Sequence, residues 1–138
     1  MPDARDHLPH RFPFILVDRV LVREPGVRVV AEKLVSATEP YFSGHFPGRP
    51  LVPGVLMLEM LAQAGGFLEA DPLGDRAIFL AGVQDARFKA PAFPGDRLTL
   101  EVQFEASFAG MTRIAGRVSC EGRELCTAKL LVKKVDPR

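Results

Sequence analysis

The sequence predicts an α+β domain in which a long, curved antiparallel sheet wraps around one central buried helix. Three observations carry this. A single run, Val55 to Ala70, is rich in the helix formers Leu, Met, Ala, Glu and Gln. The segments before and after it are strand-like and punctuated by turn signals. Helices do not alternate with strands, which excludes a doubly wound parallel sheet.

Taken in order, Phe14 to Val22 is apolar-rich, Glu24-Pro25-Gly26 is a turn signal, and Val27 to Thr38 is β-branched and loosely alternating. Together they predict a hairpin. Tyr41 to Gly54 holds three glycines and three prolines, too many for regular structure. Pro53-Gly54 then stands at the expected helix start. The sixteen residues from Val55 to Ala70 make a helix of about 24 Å. Only Glu59, Gln63 and Glu69 interrupt its apolar surface, so the helix reads as buried. After Asp71-Pro72-Leu73-Gly74 the rest is strand. Ala77 to Phe88 is followed by a proline-rich break. Arg97 to Phe108 places Leu98, Leu100, Val102 and Phe104 on one face. Met111 to Cys120 and Leu125 to Val135 flank Glu121-Gly122-Arg123-Glu124, a hairpin signal.

The 138 residues suit one domain, residues 1–138, large enough to bury a core without staples. A formal charge of +1 provides no global field to draw nucleic acid or an anionic membrane, so an acidic partner would need a local patch. Cys120 and Cys126 form no metal-ligand spacing and read as small free residues in a reducing compartment. The start is polar and the longest uncharged stretches, Pro50 to Leu58 among them, are too short to span a bilayer, so the chain reads as cytoplasmic. Asparagine is absent and arginine outnumbers lysine 13 to 5. Either a thermophilic source or GC-rich codon usage fits that bias.

Three groups carry candidate chemistry. His45 lies between glycines in a proline-stiffened loop that leads into the helix. An imidazole so held is a natural general base, while the alternative is a histidine that satisfies backbone groups in a turn. Glu59 is the one ionisable group in the first three turns of an apolar helix. Burial would raise its pKa and let it act as an acid, unless an arginine or solvent meets it. Gln63, four residues on, shares its face and supports it. The Gly54 N–H, at the helix start, is free of an intrahelical partner and suited to polarise a carbonyl, or is simply an ordinary helix start. Base, acid and carbonyl donor together suit proton abstraction α to a carbonyl with loss of a β-hydroxyl. That set needs no metal and no redox cofactor.

These segments resemble one family closely. Leu8-Pro9-His10-Arg11-Phe12-Pro13-Phe14-Ile15-Leu16-Val17-Asp18-Arg19 is similar to the opening of the FabZ-type dehydratases. Gly44-His45-Phe46-Pro47-Gly48-Arg49-Pro50, Pro53-Gly54-Val55-Leu56 and Glu59-Met60-Leu61-Ala62-Gln63 resemble their active-site segment in register. Phe79-Leu80-Ala81-Gly82, Ala86-Arg87-Phe88 and Pro94-Gly95-Asp96 resemble their later strands. The likeness covers nearly the whole chain, and the His-loop-to-Glu segment is its specific part.

The resemblance implies a hot-dog fold acting as a homodimer, often a trimer of dimers, in type II fatty acid biosynthesis. It implies that His45 takes the C2 proton of a (3R)-3-hydroxyacyl chain on acyl carrier protein. Glu59 of the facing subunit would help the hydroxyl leave, and the Gly54 amide would hold the thioester carbonyl. A trans-2-enoyl thioester would result. FabA-type isomerising relatives carry aspartate where this chain has Glu59, which argues for dehydration alone. The carrier is acidic, and Arg87, Lys89 and Arg97 are candidates for its patch; a solvated strand end is the equal alternative. By the same likeness His10 is structural or borders the pocket, and His7 reads as a solvated terminal residue. Two other readings stand beside this one. The first is a hot-dog thioesterase or CoA-linked enoyl hydratase. The second is a non-catalytic acyl-thioester binding protein, though no DNA-binding extension is present.

Overall fold

The computed structural model describes residues 3–138. A short helix α1 (Ala4–His7) precedes the hairpin β1 (Arg19–Glu24) and β2 (Arg28–Leu34). A single 3₁₀ turn (Pro40–Ser43) and an irregular loop lead into helix α2 (Gly54–Gly65). Four long strands follow: β3 (Ala77–Phe88), β4 (Arg97–Phe108), β5 (Met111–Cys120) and β6 (Arg123–Val135). They form one six-stranded sheet in the order β1-β2-β4-β5-β6-β3, antiparallel throughout. This is the expected hot-dog arrangement. Among the described residues no helix is long and apolar enough to cross a membrane.

Strand register explains how the sheet grips the helix. Ala31, Leu100, Val118 and Cys126 are successive partners across β2, β4, β5 and β6. Val29, Val102, Gly116 and Ala128 form the neighbouring row. Seven of these eight are buried hydrophobics. The eighth, Gly116, makes room: a Cβ there would stand 2.9 Å from Leu61 Cδ1 of α2. Met57, Met60, Leu61 and Phe67 fill the concave side of the sheet.

Four expectations need correction. The first strand begins at Arg19, not Phe14, because the Phe14 carbonyl and the Leu16 N–H bond to Gln63 of α2, and pairing with β2 is reached only at Asp18, whose N–H donates to the Glu32 carbonyl. The α-helix ends at Gly65 and tightens into a 3₁₀ turn, Gly66–Leu68, before the predicted Ala70. Phe104 is 38% exposed rather than core. Twelve residues of strand reach about 40 Å, whereas the twelve of α2 cover about 18 Å. The strand therefore outruns the helix beneath it, and a register shift between Phe104 and Ala106 follows.

The fourth correction is His7, which is buried at 3% exposure rather than solvated. Its Nε2 lies 2.9 Å from the Gly66 carbonyl, to which it donates. The ring stacks on Phe67 with centroids 4.8 Å apart. The contact gives a close donor to a carbonyl that otherwise accepts only from Glu69 N, at 3.4 Å. Burial lowers its pKa from the ordinary 6.5, and the Gly66 hydrogen bond only partly opposes this. Unfolded chains therefore bind a proton here that folded ones refuse, so the stability contributed above pH 6.5 is lost as pH falls below it. A His7→Gln variant is expected to show a shallower fall in unfolding free energy between neutral pH and pH 5 than the parent, measured by denaturant titration at fixed protein concentration.

Candidate active site

His45 sits on the loop between the 3₁₀ turn and α2. Its ring is half-buried and stacks on Phe46 with centroids 4.2 Å apart. His45 Nδ1 lies 2.9 Å from the Leu51 carbonyl. A carbonyl only accepts, so in the neutral ring Nδ1 carries the proton and Nε2 keeps its lone pair. The loop is closed on itself, with Leu51 N donating to the His45 carbonyl at 3.0 Å and Arg49 N to the Phe46 carbonyl at 2.8 Å. The residue satisfies a backbone carbonyl, as the alternative reading has it, and doing so fixes which nitrogen is free.

Gly54 is the first residue of α2. The ring of Phe88, at the end of β3, stands 3.1 Å from where a Cβ would lie. Any side chain at Gly54 would have to move that ring or cover the N–H. The neighbouring cleft is lined by Leu51, Val52, Met57, Phe88 and Pro91 along with Gly54.

Glu59 lies one and a half turns further along the helix. Its side chain is 23% exposed in the single chain, not fully buried as the helix pattern suggests. Oε1 accepts from Gln63 Nε2 at 3.3 Å and stands 3.5 Å from His10 Nε2. Gln63 is wholly buried. Its Oε1 accepts from Leu16 N at 2.8 Å and its Nε2 donates to the Phe14 carbonyl at 2.8 Å. The expected support of Glu59 by Gln63 is thus present, and Gln63 also staples the segment before β1 to the helix. His10 reaches Glu59 from the segment before β1. Its spacing gives no sign of the contact; only its place in the Pro-His-Arg-Phe-Pro segment does.

His45 and Glu59 stand on separate segments, the loop before α2 and the helix itself. Among the described residues no hydrogen bond or ion pair joins them.

Residues 8–129 match the FabA-like domain model. The 3-hydroxyacyl-[acyl-carrier-protein] dehydratase FabZ of Chloroflexus aggregans is 49% identical over 132 residues, 94% of this chain and 92% of that one. The FabZ of Paracidovorax citrulli is 47% identical, with coverage of 88% and 91%. The chain belongs to the FabA-like family, among its FabZ-type dehydratases. Solved structures agree on the fold. A dehydratase heterocomplex from Xenorhabdus doucetiae superposes with a TM-score of 0.77 at 24% identity, covering all of this chain and 93% of that one. A hypothetical thioesterase with coenzyme A from Streptococcus pneumoniae reaches 0.62 at 12% identity, covering 87% of each chain. That second likeness shows the scaffold alone.

Two of the three cations expected to meet a carrier are already engaged in this FabZ-type chain. Lys89 pairs with Glu124 and Arg97 with the buried Glu32 at 3.3 Å. Arg87 is exposed and makes no ion pair among the described residues. Cys120 and Cys126 are free thiols, and burial pushes Cys126 up to about 11, so neither offers a ready nucleophile.

Replacing Gln63 by leucine keeps the volume but leaves the Leu16 N–H and the Phe14 carbonyl without their partner. The variant is expected to lose about 1–3 kcal/mol of stability, read from the denaturation midpoint, and to lose activity as Glu59 is freed.

Proposed function

We propose that this chain dehydrates (3R)-3-hydroxyacyl chains on acyl carrier protein to trans-2-enoyl thioesters, as a step of type II fatty acid biosynthesis in the cytoplasm. The observation that supports it most is the His45–Leu51 contact, which leaves a neutral imidazole with Nε2 unprotonated. The relatives that are 46–49% identical over most of the chain are named for this reaction.

Nε2 of His45 takes the C2 proton, and the electron pair moves toward the thioester carbonyl. The Gly54 N–H donates to that oxygen as negative charge builds on it. The C3–O bond then breaks, the new double bond forms between C2 and C3, and Glu59 gives its proton to the departing hydroxyl, which leaves as water. Gln63 and His10 hold Glu59 through Oε1, so Oε2 is the oxygen that meets the hydroxyl. Exchange with water returns the proton from His45 and reprotonates Glu59.

The two groups meet across a homodimer, with His45 from one protomer and Glu59 from its partner. The edge strand β3 supports this reading. It is twelve residues long, lies at the end of the sheet, and leaves Phe79, Val83 and Phe88 exposed. A long edge with exposed apolar residues, although bulged between Leu80 and Gly82 and between Gln84 and Arg87, offers free backbone for pairing with a second copy. Val55, 68% exposed at the start of α2, would be covered by the same partner. The acyl tail runs between the two protomers, and a trimer of such dimers is the further assembly. The carrier docks through Arg87, with Lys89 and Arg97 contributing if their pairs open.

Turnover of a 3-hydroxyacyl carrier substrate is followed by absorbance of the conjugated enoyl thioester. His45→Ala and Glu59→Gln are each expected to lower kcat by at least about 10²-fold, the scale of one general acid–base group. Full activity in both variants would contradict the assignment.

A further inference from the structure

Strand β2 carries a lysine that the fold has no simple reason to bury. On β2, Val29, Ala31 and Lys33 are alternate residues, so Lys33 points to the same side as the two buried hydrophobics before it. Its side chain is only 6% exposed. Lysine is almost never buried to this degree without a partner. Nζ lies 2.8 Å from Glu39 Oε1 and 3.7 Å from Asp18 Oδ2. Both carboxylates also hold backbone: Asp18 Oδ2 accepts from Leu34 N at 2.7 Å and Glu39 Oε1 from Ser36 N at 3.3 Å. The hydroxyl of Tyr41 is buried nearby without a partner, and burial together with Glu39 and Asp18 pushes its pKa upward.

Glu39 is the residue that opens the 3₁₀ turn Pro40–Ser43, and its carbonyl accepts from Phe42 N at 3.1 Å. His45 follows two residues after that turn. The loop from His45 to Leu51 bonds largely to itself, so it is placed by its two attachments to the body. Downstream, Val52 N donates to the Ala92 carbonyl at 2.9 Å and Val52 is buried. Upstream, the attachment is Phe42 in the core and Glu39 on Lys33.

We infer that Lys33 and Glu39 form a positioning pair for the dehydration: the buried ion pair fixes the turn from which the His45 loop hangs, and so sets where the base stands. The inference rests on the reading of His45 as the base. Neither residue touches substrate. An ion pair serves here because it is directional, whereas an apolar contact would hold the turn without fixing its angle. A shift of about 1 Å in a reacting group costs on the order of 10²-fold in rate, so a modest tilt of the turn is enough.

Lys33→Met alone leaves two carboxylates facing a buried gap and is open to unfolding. The double variant Lys33→Met/Glu39→Gln removes both charges of the pair and is the measurement that decides. It is expected to melt within a few degrees of the parent and to keep KM within about 3-fold, while kcat falls about 10- to 100-fold. The same double substitution placed in His45→Ala is expected to leave the residual rate unchanged, because the group it positions is gone. Parental kcat in the double variant would overturn the inference, as would an equal fall in the His45→Ala background, which would mean general loosening. Full activity in His45→Ala by itself would remove the base reading and this inference with it; that failure shows in a different variant and is told apart by it.

Discussion

Helix α2 cannot stand in water. Nearly every side chain it carries from Met57 to Gly65 is buried, and a twelve-residue helix is marginal by itself. It exists because six strands cover it, and the sheet curves because a helix lies in its concavity. The two polar residues on this helix are therefore expensive positions. Gln63 is tolerated at full burial since each of its polar atoms is met by backbone or by Glu59. Glu59 stands at the border, 23% exposed in one protomer, where a second protomer can complete its enclosure. On the proposed reading, a partner protomer would complete the enclosure of Glu59 that the helix alone does not provide.

The same constraint places the other groups. Because α2 starts beneath the end of β3, the Phe88 ring presses on Gly54 and keeps that position free of a side chain. Because the chain must cross from the hairpin to the start of α2, it passes through a short loop that closes on itself around His45 and Leu51. Rigidity there comes from backbone hydrogen bonds and two anchors to the body, not from a regular element. His45 and Gly54 thus sit at one end of the helix, and Glu59 sits further along it.

Much of this was legible in the sequence. The bounds of β3, β4 and β5 follow from alternation and turn residues, and they agree with the structure at both ends. The helix was legible from composition, and His45, Gly54 and Glu59 from their chemistry together with the family segment. What failed had physical causes. Residues 14 to 18 look like a strand, but Phe14 and Leu16 bond to Gln63, a tertiary contact that no local pattern contains. His7 looked terminal, yet the Gly66 carbonyl, 59 residues away, takes it into the core. The alternation of Lys33 with Val29 and Ala31 places a charge on an apolar face, a signal that becomes visible only with the register of β2.

The central claim is that the reacting pair is divided between two protomers, and mixed dimers test it most directly. His45→Ala and Glu59→Gln chains, each almost inactive, would be co-refolded in equal amounts and assayed on the carrier-linked substrate. A mixed dimer then holds one doubly impaired site and one intact site. Random pairing puts half the protein in mixed dimers, so activity should return to about a quarter of the parental value. If His45 and Glu59 instead act within one chain, no intact site can form. The mixture would then stay as inactive as its components, contradicting the account.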